Sequence, residues 1–255
     1  MHDQQAFVHC TVDQGLATLR FFHPGHNSLP SDLLRQLSEE ILRLGQSEDV
    51  RLILLRSEGE KTFCAGASFD ELSAIEDEKT GLNFFLGFAN VINAIRTCGK
   101  LVICRVHGRA IGGGVGIAAA ADYTMATHWA TIRLSELAVG IGPFVIGPVV
   151  ERKLGLTAFT QLALTPTEWQ TAEWSKSKGL YMEVFEKVEQ LDNYCAHFIN
   201  QLLSYSPQAL AELKKVFWQG TEHWDQLLKD RATISGKLIL SDYSKQAIAA
   251  FKSKS

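Results

Sequence analysis

Short apolar runs alternate with longer helical patterns over the first two-thirds of the chain, and this alternation predicts an α/β fold. Phe7 to Val12 and Leu16 to Phe22 are predicted to pair as strands around the turn residues Asp13-Gln14-Gly15. Arg51 to Arg56 and Leu101 to Val106 are apolar enough to predict two further strands, both buried.

Apolar residues recur at helical spacing between and after these strands. Leu33 to Leu44 predicts an amphipathic helix opened by Pro30-Ser31-Asp32, and Phe84 to Ile95 predicts another. From about Val184 one helical pattern follows another, with a break at Tyr205-Ser206-Pro207. We therefore expect a core over residues 1–195 and a helical region over residues 196–255. Three aromatic residues of that region suit a core or a subunit interface, namely Phe217, Trp218 and Trp224.

Composition bounds the class of protein. The 255 residues are 46% hydrophobic and 21% charged, which excludes collagen-like, disordered and coiled-coil chains. The net charge of −3 offers no basic surface for nucleic acid, and no apolar run reaches the roughly 18 residues of a membrane span. The five scattered cysteines form no Cys-x-x-Cys pair, and the first residues lack the pattern of a signal peptide. We expect a cytoplasmic protein with reduced thiols.

The stretch from Val106 to Ile117 contains three consecutive glycines, Gly112 to Gly114, between a predicted strand and a helix of small residues. Glycines without a Cβ let a ligand approach the backbone closely. The start of the helix presents unpaired N–H groups and the positive end of its dipole, which suit an anion or an oxyanion. A tight turn before a closely packed alanine helix is the structural alternative. The spacing fits neither a dinucleotide fingerprint nor a Walker loop.

A second stretch, Lys61 to Leu72, also follows a strand, passes through small residues and opens a helix. Two such loops, each offering one backbone N–H to the same carbonyl oxygen, are what acyl chemistry requires. Small residues on both loops would let a bulky thioester lie between them. The pairing of the two loops is an interpretation of two similar junctions.

The third stretch runs from Ala130 to Pro143 and contains Glu136 at the end of a strand-like run. A carboxylate among Leu134, Leu137 and Val139 would have its pKa raised by desolvation, towards that of a useful general base. The alternative is a salt-bridged glutamate at a strand end.

Taken in this order, the three stretches resemble the enoyl-CoA hydratase/isomerase (crotonase) superfamily. The resemblance also includes Asn27-Ser28-Leu29, Asp122 and, faintly, Ala250-Phe251. It is nearest to bacterial hydratases of the methylglutaconyl-CoA type over Leu134 to Pro143, Gly147-Pro148-Val149-Val150 and Arg152-Lys153-Leu154-Gly155. The resemblance implies a spiral of ββα turns, C-terminal helices that build trimers or hexamers, and a CoA-thioester substrate without a metal or redox cofactor.

The resemblance also assigns roles to residues. It places the oxyanion hole at the backbone N–H groups of Ala67 and Gly113, and a catalytic glutamate at Glu136. The first of the two glutamates that hydratases of this family use maps onto Gly116 and is missing, and Ser68 stands where an aspartate is common. The expected substrate contacts are Lys61, Ala65, Gly66, Gly112, Gly114, Gly116, Pro143 and Phe144.

The missing carboxylate leaves the reaction open. Hydration needs water to be activated and delivered while a proton reaches Cα, whereas double-bond migration needs a single base. The resemblance to methylglutaconyl-CoA hydratases, some of which carry Gly at the first position, narrowly favours hydration of a short or branched 2-enoyl-CoA. Isomerisation of a 3-enoyl-CoA by Glu136 alone is the second hypothesis. A catalytically silent acyl-CoA-binding or scaffold protein is the third.

Several side chains are weaker candidates. Arg20 and Lys252 are expected to help Lys61 contact the phosphates of CoA. His23 and His26 form a His-x-x-His without a third metal ligand, so a polar loop is the better interpretation, and His107 is expected to satisfy a strand-end carbonyl. Four residues are expected to line the acyl pocket, namely Phe84, Phe88, Phe144 and Val145.

Overall fold

A computed structural model describes residues 5–252 of the chain, and within these residues most strands belong to one six-stranded sheet. The strands are β1 (Phe7–Asp13), β2 (Leu16–Phe22), β3 (Ser28–Leu29), β4 (Leu52–Ser57), β5 (Thr62–Cys64), β6 (Gly66–Ala67), β7 (Leu101–Val106), β8 (Arg109–Ile111), β9 (Tyr123–Thr127), β10 (Ile132–Arg133) and β11 (Glu183–Phe185). The large sheet has the order β1-β2-β4-β7-β9-β11, and only the β1/β2 hairpin is antiparallel.

Helices cover both faces of this sheet. They are α1 (Ser31–Gln46), α2 (Phe69–Ser73), α3 (Glu78–Thr97), α4 (Gly113–Ala120), α5 (Gly147–Leu154), α6 (Leu156–Leu164), α7 (Ala172–Ser177), α8 (Val188–Ser204), α9 (Pro207–Phe217), α10 (Trp224–Leu238) and α11 (Asp242–Lys252). A single 3-10 turn covers Glu136–Val139. The predicted α/β class and the four predicted strands are confirmed, with β4 shifted by one residue.

The sheet is buried because side chains from alternate positions meet helices on opposite faces. Leu55 and Cys104 point into the main core with α1, α3 and α4, while Leu54 and Ile103 pack against α8. Strands covered on both faces become continuous apolar runs, as in β4 and β7. The stripe predicted for α1 is confirmed, since its buried residues include Leu33, Leu34, Leu37, Ile41 and Leu44.

The C-terminal helices return to the core and do not form a separate layer. At the crossing of α3 and α10, a Cβ atom on Gly81 would lie 2.8 Å from the carbonyl oxygen of Gly236. Trp224 is buried and Trp218 packs against the core, whereas Phe217 is 47% exposed. Val184 lies in β11, so the run of helices begins at Val188. Helix α8 continues through residues 195 and 196, between which we expected the two regions to divide.

No helix in residues 5–252 is both long and apolar enough to cross a lipid bilayer. Four of the five cysteines are buried and all five are free thiols. Burial raises the pKa of Cys64 to about 12, so that thiol stays protonated and is a poor nucleophile. The expectation of free, mostly buried thiols from the sequence agrees with this arrangement.

Candidate active site

The three candidate stretches meet because each contains one strand of a second, smaller sheet. Its order is β10-β8-β5, and all its strands are parallel. The carboxyl ends of parallel strands lie at the same edge of a sheet, so the loops that follow them converge there. The sequence predicted that the strand ending at Val106 would run straight into the glycine loop. Instead β7 ends there, and the short strand β8 follows after His107 and Gly108.

Asn27 anchors the loop within the Lys61–Leu72 stretch, called the first loop below, whereas the loop of Gly112 to Gly114 is called the second loop. Its side-chain nitrogen donates to the carbonyls of Glu58 (2.7 Å) and Thr62 (2.9 Å), and its side-chain oxygen accepts the His23 N–H at 2.8 Å. The residue has a φ of 57°, which asparagine tolerates better than most residues. Strand β3, which follows Asn27 directly, pairs with β6 and thereby fixes the backbone of Ala67.

Helix α4 begins directly after the second loop. The N–H groups of Val115 and Gly116 both donate to the carbonyl of Gly112, at 2.9 and 3.2 Å, so the N–H groups of Gly113 and Gly114 precede the first bonds of the helix. Such leading N–H groups lack partners within the helix and carry its positive dipole end. Gly112 has a φ of 51°, where a side chain would be strained.

Two close contacts bring the two loops and the Glu136 carboxylate together. A Cβ atom on Gly66 would lie 3.6 Å from the backbone nitrogen of Gly113, so the first loop lies against the start of α4. A Cβ atom on Gly112 would lie 3.0 Å from Oε1 of Glu136. The carboxylate therefore sits one residue away from the leading N–H group of Gly113.

The Glu136 carboxylate lies beside the start of α4. It begins the 3-10 turn and does not end a strand, because β10 stops at Arg133. Its Oε2 atom is buried and has no hydrogen-bond partner, so the salt-bridged alternative is wrong. Burial raises the pKa of Glu136 to about 7, although a bond from its own backbone N–H lowers it. Near neutral pH both the base and its conjugate acid are populated.

Gly116 lies one turn after Gly113 on the same helix, and its neighbour is aliphatic. A Cβ atom there would meet Cγ2 of Ile146 at 2.5 Å and Cβ of Ile146 at 2.9 Å. Cδ1 of Ile92 would lie at 3.7 Å. Ile146 is 3% exposed, so the position that the family resemblance assigns to a first glutamate is closed by a buried isoleucine.

The other expected contacts surround these groups. The Ala65 N–H donates to the carbonyl of Asn27 at 3.3 Å, and Gly114 packs closely on Cys64. Pro143 is buried, and the ring of Phe144 folds back over Gly142.

The expected CoA-binding cations lie outside this group of contacts. Lys61 is exposed just before β5, whereas Arg20 pairs with Glu58 at 3.5 Å. The side chain of Lys252 lies outside the described residues. Ser68 caps α2 by accepting the N–H of Glu71 at 3.4 Å.

A pocket of about 290 Å³ lies beside the first loop, between α2 and the last two helices. None of the four expected acyl-pocket residues lines it; the lining residues are Leu72, Ser73, Ile75, Ile239, Lys245, Ile248 and Ala249. Phe84 instead packs in the apolar cluster under this pocket, Phe88 presses on Gly113, and Val145 belongs to the main core. A larger cavity of about 460 Å³ lies between α5, α8 and α9, and no residue of the first or second loop lines it.

The remaining histidines offer no metal site. Among residues 5–252, no group of three His, Cys, Asp or Glu side chains is placed to hold a metal ion. Nδ1 of His23 accepts the Gly25 N–H at 3.2 Å. His107 satisfies no strand-end carbonyl with its ring, since neither ring nitrogen has a partner, and that expectation is wrong. Burial, with the nearby charge of Arg105, lowers the pKa of His107 to about 4.

Sequence reasoning missed the residues that reach the site from elsewhere in the chain. Ile146 presses on Gly116 of α4, and Ile239 and Ile248 bring the last two helices to the pocket. Their apolar character resembles that of any core residue. The one usable signal was glycine itself, because Gly116 interrupts a helix that is otherwise rich in alanine.

Comparison with known proteins gives a consistent result. A family model described as Enoyl-CoA hydratase/isomerase matches residues 11–255. A peroxisomal Delta(3,5)-Delta(2,4)-dienoyl-CoA isomerase of Arabidopsis thaliana is 28% identical over 256 residues, covering 94% of this chain and 90% of that protein. A mitochondrial methylglutaconyl-CoA hydratase of Mus musculus is 29% identical over 202 residues, covering 78% of this chain and 64% of that protein.

Solved structures agree with the sequence comparison. The crystal structure of an enoyl-CoA hydratase from Mycobacterium avium superposes with a TM-score of 0.87 at 26% sequence identity, covering 98% of both chains. The arrangement of strands and helices described above is therefore similar to that of a solved enoyl-CoA hydratase structure.

Proposed function

Because the chain belongs to the enoyl-CoA hydratase/isomerase family and is an enzyme of that kind, we propose that it moves a proton on an acyl-CoA thioester with Glu136 as its base. The observation that carries this proposal is the contact of the Glu136 carboxylate with Gly112, beside the leading N–H group of Gly113. In the proposed complex the thioester oxygen accepts hydrogen bonds from the N–H groups of Ala67 and Gly113. Coenzyme A enters as part of the substrate, and the chemistry needs no redox cofactor.

These groups would act on the charge that develops during the reaction. Glu136 removes a proton from Cα, and the electron pair of the broken C–H bond moves into the thioester to form an enolate. Two backbone donors and the positive end of α4 stabilise that oxyanion, and losing one such donor typically costs about 3–4 kcal/mol. A pKa of about 7 lets Glu136 accept the proton and then return it at the same pH.

We propose double-bond migration from a 3-enoyl to a 2-enoyl thioester as the reaction. The proton leaves Cα and returns at Cγ, so one carboxylate suffices and no water is consumed. The apolar surroundings of Gly116 support this choice over hydration, which the sequence alone narrowly favoured. Hydration of a short or branched 2-enoyl-CoA stays the second candidate, supported by the activity that the mouse relative's name states.

The test uses a short 3-enoyl-CoA and the matching 2-enoyl-CoA, with the absorbance of the conjugated thioester followed over time. We expect conjugation to appear from the 3-enoyl substrate and Glu136→Gln to slow the reaction by about 10² to 10⁴-fold. Glu151→Gln, at an exposed position of α5, is the matched control and should keep the wild-type rate. Loss of conjugation from the 2-enoyl substrate alone would establish hydration instead. Binding of acyl-CoA without turnover of either substrate would support the silent scaffold.

We further propose a homotrimer, or a hexamer of two trimers, in the cytoplasm. Among residues 5–252, three large aliphatic side chains are more than half exposed, namely Leu156 (62%), Leu164 (67%) and Val216 (61%), which supports burial against other subunits. Light scattering after size-exclusion chromatography measures the assembly directly. A monomer at micromolar concentration would contradict this proposal.

A further inference from the structure

The space beside Gly116, called the corner below, has aliphatic carbon atoms as its nearest side-chain neighbours. The three atoms nearest to a Cβ atom at this position are Cγ2 and Cβ of Ile146 and Cδ1 of Ile92. Ile146 and Ile92 are 3% and 0% exposed. Positions three apart share a helix face, so this corner lies on the face of α4 that begins with Gly113.

Double-bond migration and hydration make different demands on such a corner. Migration breaks a C–H bond at Cα and makes one at Cγ, and atoms balance without a co-reactant. Hydration breaks an O–H bond of water, forms a C–O bond at Cβ and delivers a proton to Cα. The attacking water must be held in place, and a bound water typically needs two to four polar partners.

We infer that Ile146 is a specificity-determining residue, which excludes a second polar group and its water from the corner beside Gly116 and so directs the enzyme to double-bond migration. This inference rests on the proposed function and names the residue that selects between its two candidate reactions. Ile146 is the N-cap residue of α5, so the helix fixes the position of its backbone. The side chain of Ile146 therefore keeps the space beside Gly116 closed.

The same contacts predict which substitutions can open the corner. A carboxylate at residue 116 does not fit beside the present isoleucine, because even its Cβ atom would approach Cγ2 of Ile146 to 2.5 Å. Removing that branched side chain frees the space. Gly116→Glu should therefore fail alone, and Gly116→Glu with Ile146→Ala should accommodate two carboxylates.

The experiment measures hydration and migration in the same preparation. Wild type, Ile146→Ser, and Gly116→Glu/Ile146→Ala are each given a short 3-enoyl-CoA and the matching 2-enoyl-CoA. Products are separated by liquid chromatography and identified by mass, since hydration adds one water and migration leaves the mass unchanged. We expect the double variant to raise the ratio of hydration to migration by at least about tenfold. Ile146→Ser, which adds a hydroxyl, should raise it in the same direction.

Leu154→Ala is the matched control, because it removes a buried aliphatic side chain from the far end of the same helix. It should keep the wild-type ratio of hydration to migration.

An unchanged ratio in both Ile146 variants, with native circular dichroism, would overturn the inference but would not contradict the role of Glu136 as the base. Faster hydration than migration by the wild type would also overturn it. A wild type inert towards both substrates would overturn the proposed function, and the inference with it. If the double variant does not fold, the ratio of hydration to migration in Ile146→Ser alone tests the inference.

Discussion

Replacing Glu136 by glutamine should stabilise the folded protein at neutral and alkaline pH while it removes activity. The carboxylate has an unpartnered buried oxygen, and burial raises its pKa from 4.5 to about 7. Glutamine has nearly the same shape and carries no charge. The substitution therefore isolates the free-energy cost of keeping an ionisable group in an apolar site.

The direction and size of the effect follow from proton linkage. Below about pH 4.5 the carboxyl is neutral in both the folded and the unfolded chain, so its ionisation costs nothing. Between that pH and about 7 only the unfolded chain releases the proton, and the wild type loses stability as the pH rises. One pKa unit corresponds to about 1.4 kcal/mol, so the cost reaches about 3 kcal/mol above pH 7 as an upper value.

The assay is urea unfolding of wild type, Glu136→Gln and Glu151→Gln from about pH 5 to about pH 8. The stability advantage of Glu136→Gln over the wild type should grow across this range and then become constant. The exposed control should show no such trend. A difference between Glu136→Gln and wild type that does not change with pH would refute the argument, since it would place the carboxylate in solvent.

Three further predictions follow from other contacts. Asp122→Asn should lower the free energy of unfolding by about 3–5 kcal/mol, because the side chains of Asp122 and Lys214 are 3% and 2% exposed and form an ion pair at 2.6 Å. Urea unfolding measures this change, and a value below about 1 kcal/mol would contradict the prediction. Gly236→Ala should destabilise by about 1–3 kcal/mol, because its methyl group would meet Gly81 at the helix crossing; a thermal melt that matches wild type would exclude so close an approach. The rate of the proposed reaction should rise with pH through about 7, because Glu136 must be ionised to accept a proton. The activity is measured as a function of pH, and a rate that stays constant from about pH 5 to about pH 9 would exclude Glu136 as the base.

The sequence predicted the parts of the site that depend on residue type. Glycines mark where a backbone must be approached closely, and Glu136 stands out as a carboxylate among apolar residues. The expected rise in its pKa agrees with the structure, because its Oε2 atom is buried even though the residue as a whole is only half-buried. The roles of Ala67 and Gly113 as donors stay predictions.

What the sequence did not predict depends on packing between distant segments. The small sheet that gathers the three loops has strands of two or three residues, too short to give a periodic signal. The aromatic row on α3 suggested an acyl pocket, yet Phe84 packs in an apolar cluster, and the pocket next to this cluster is lined by residues from α2 and the last two helices. The contact of Ile146 with Gly116 joins residues thirty positions apart, and nothing local distinguishes it from any core contact.

The order of strands in the large sheet bears on how the chain acquires its structure. From β1 to β11 each strand is added beside the one before it, in the order of synthesis, so the sheet can grow by extension from the initial hairpin. Every intermediate along that route exposes an unpaired edge that could recruit another chain. The growth ends at β11, whose three residues are too few to template a further strand. Deleting β11 would leave β9 as the edge, and we expect such a chain to aggregate during refolding.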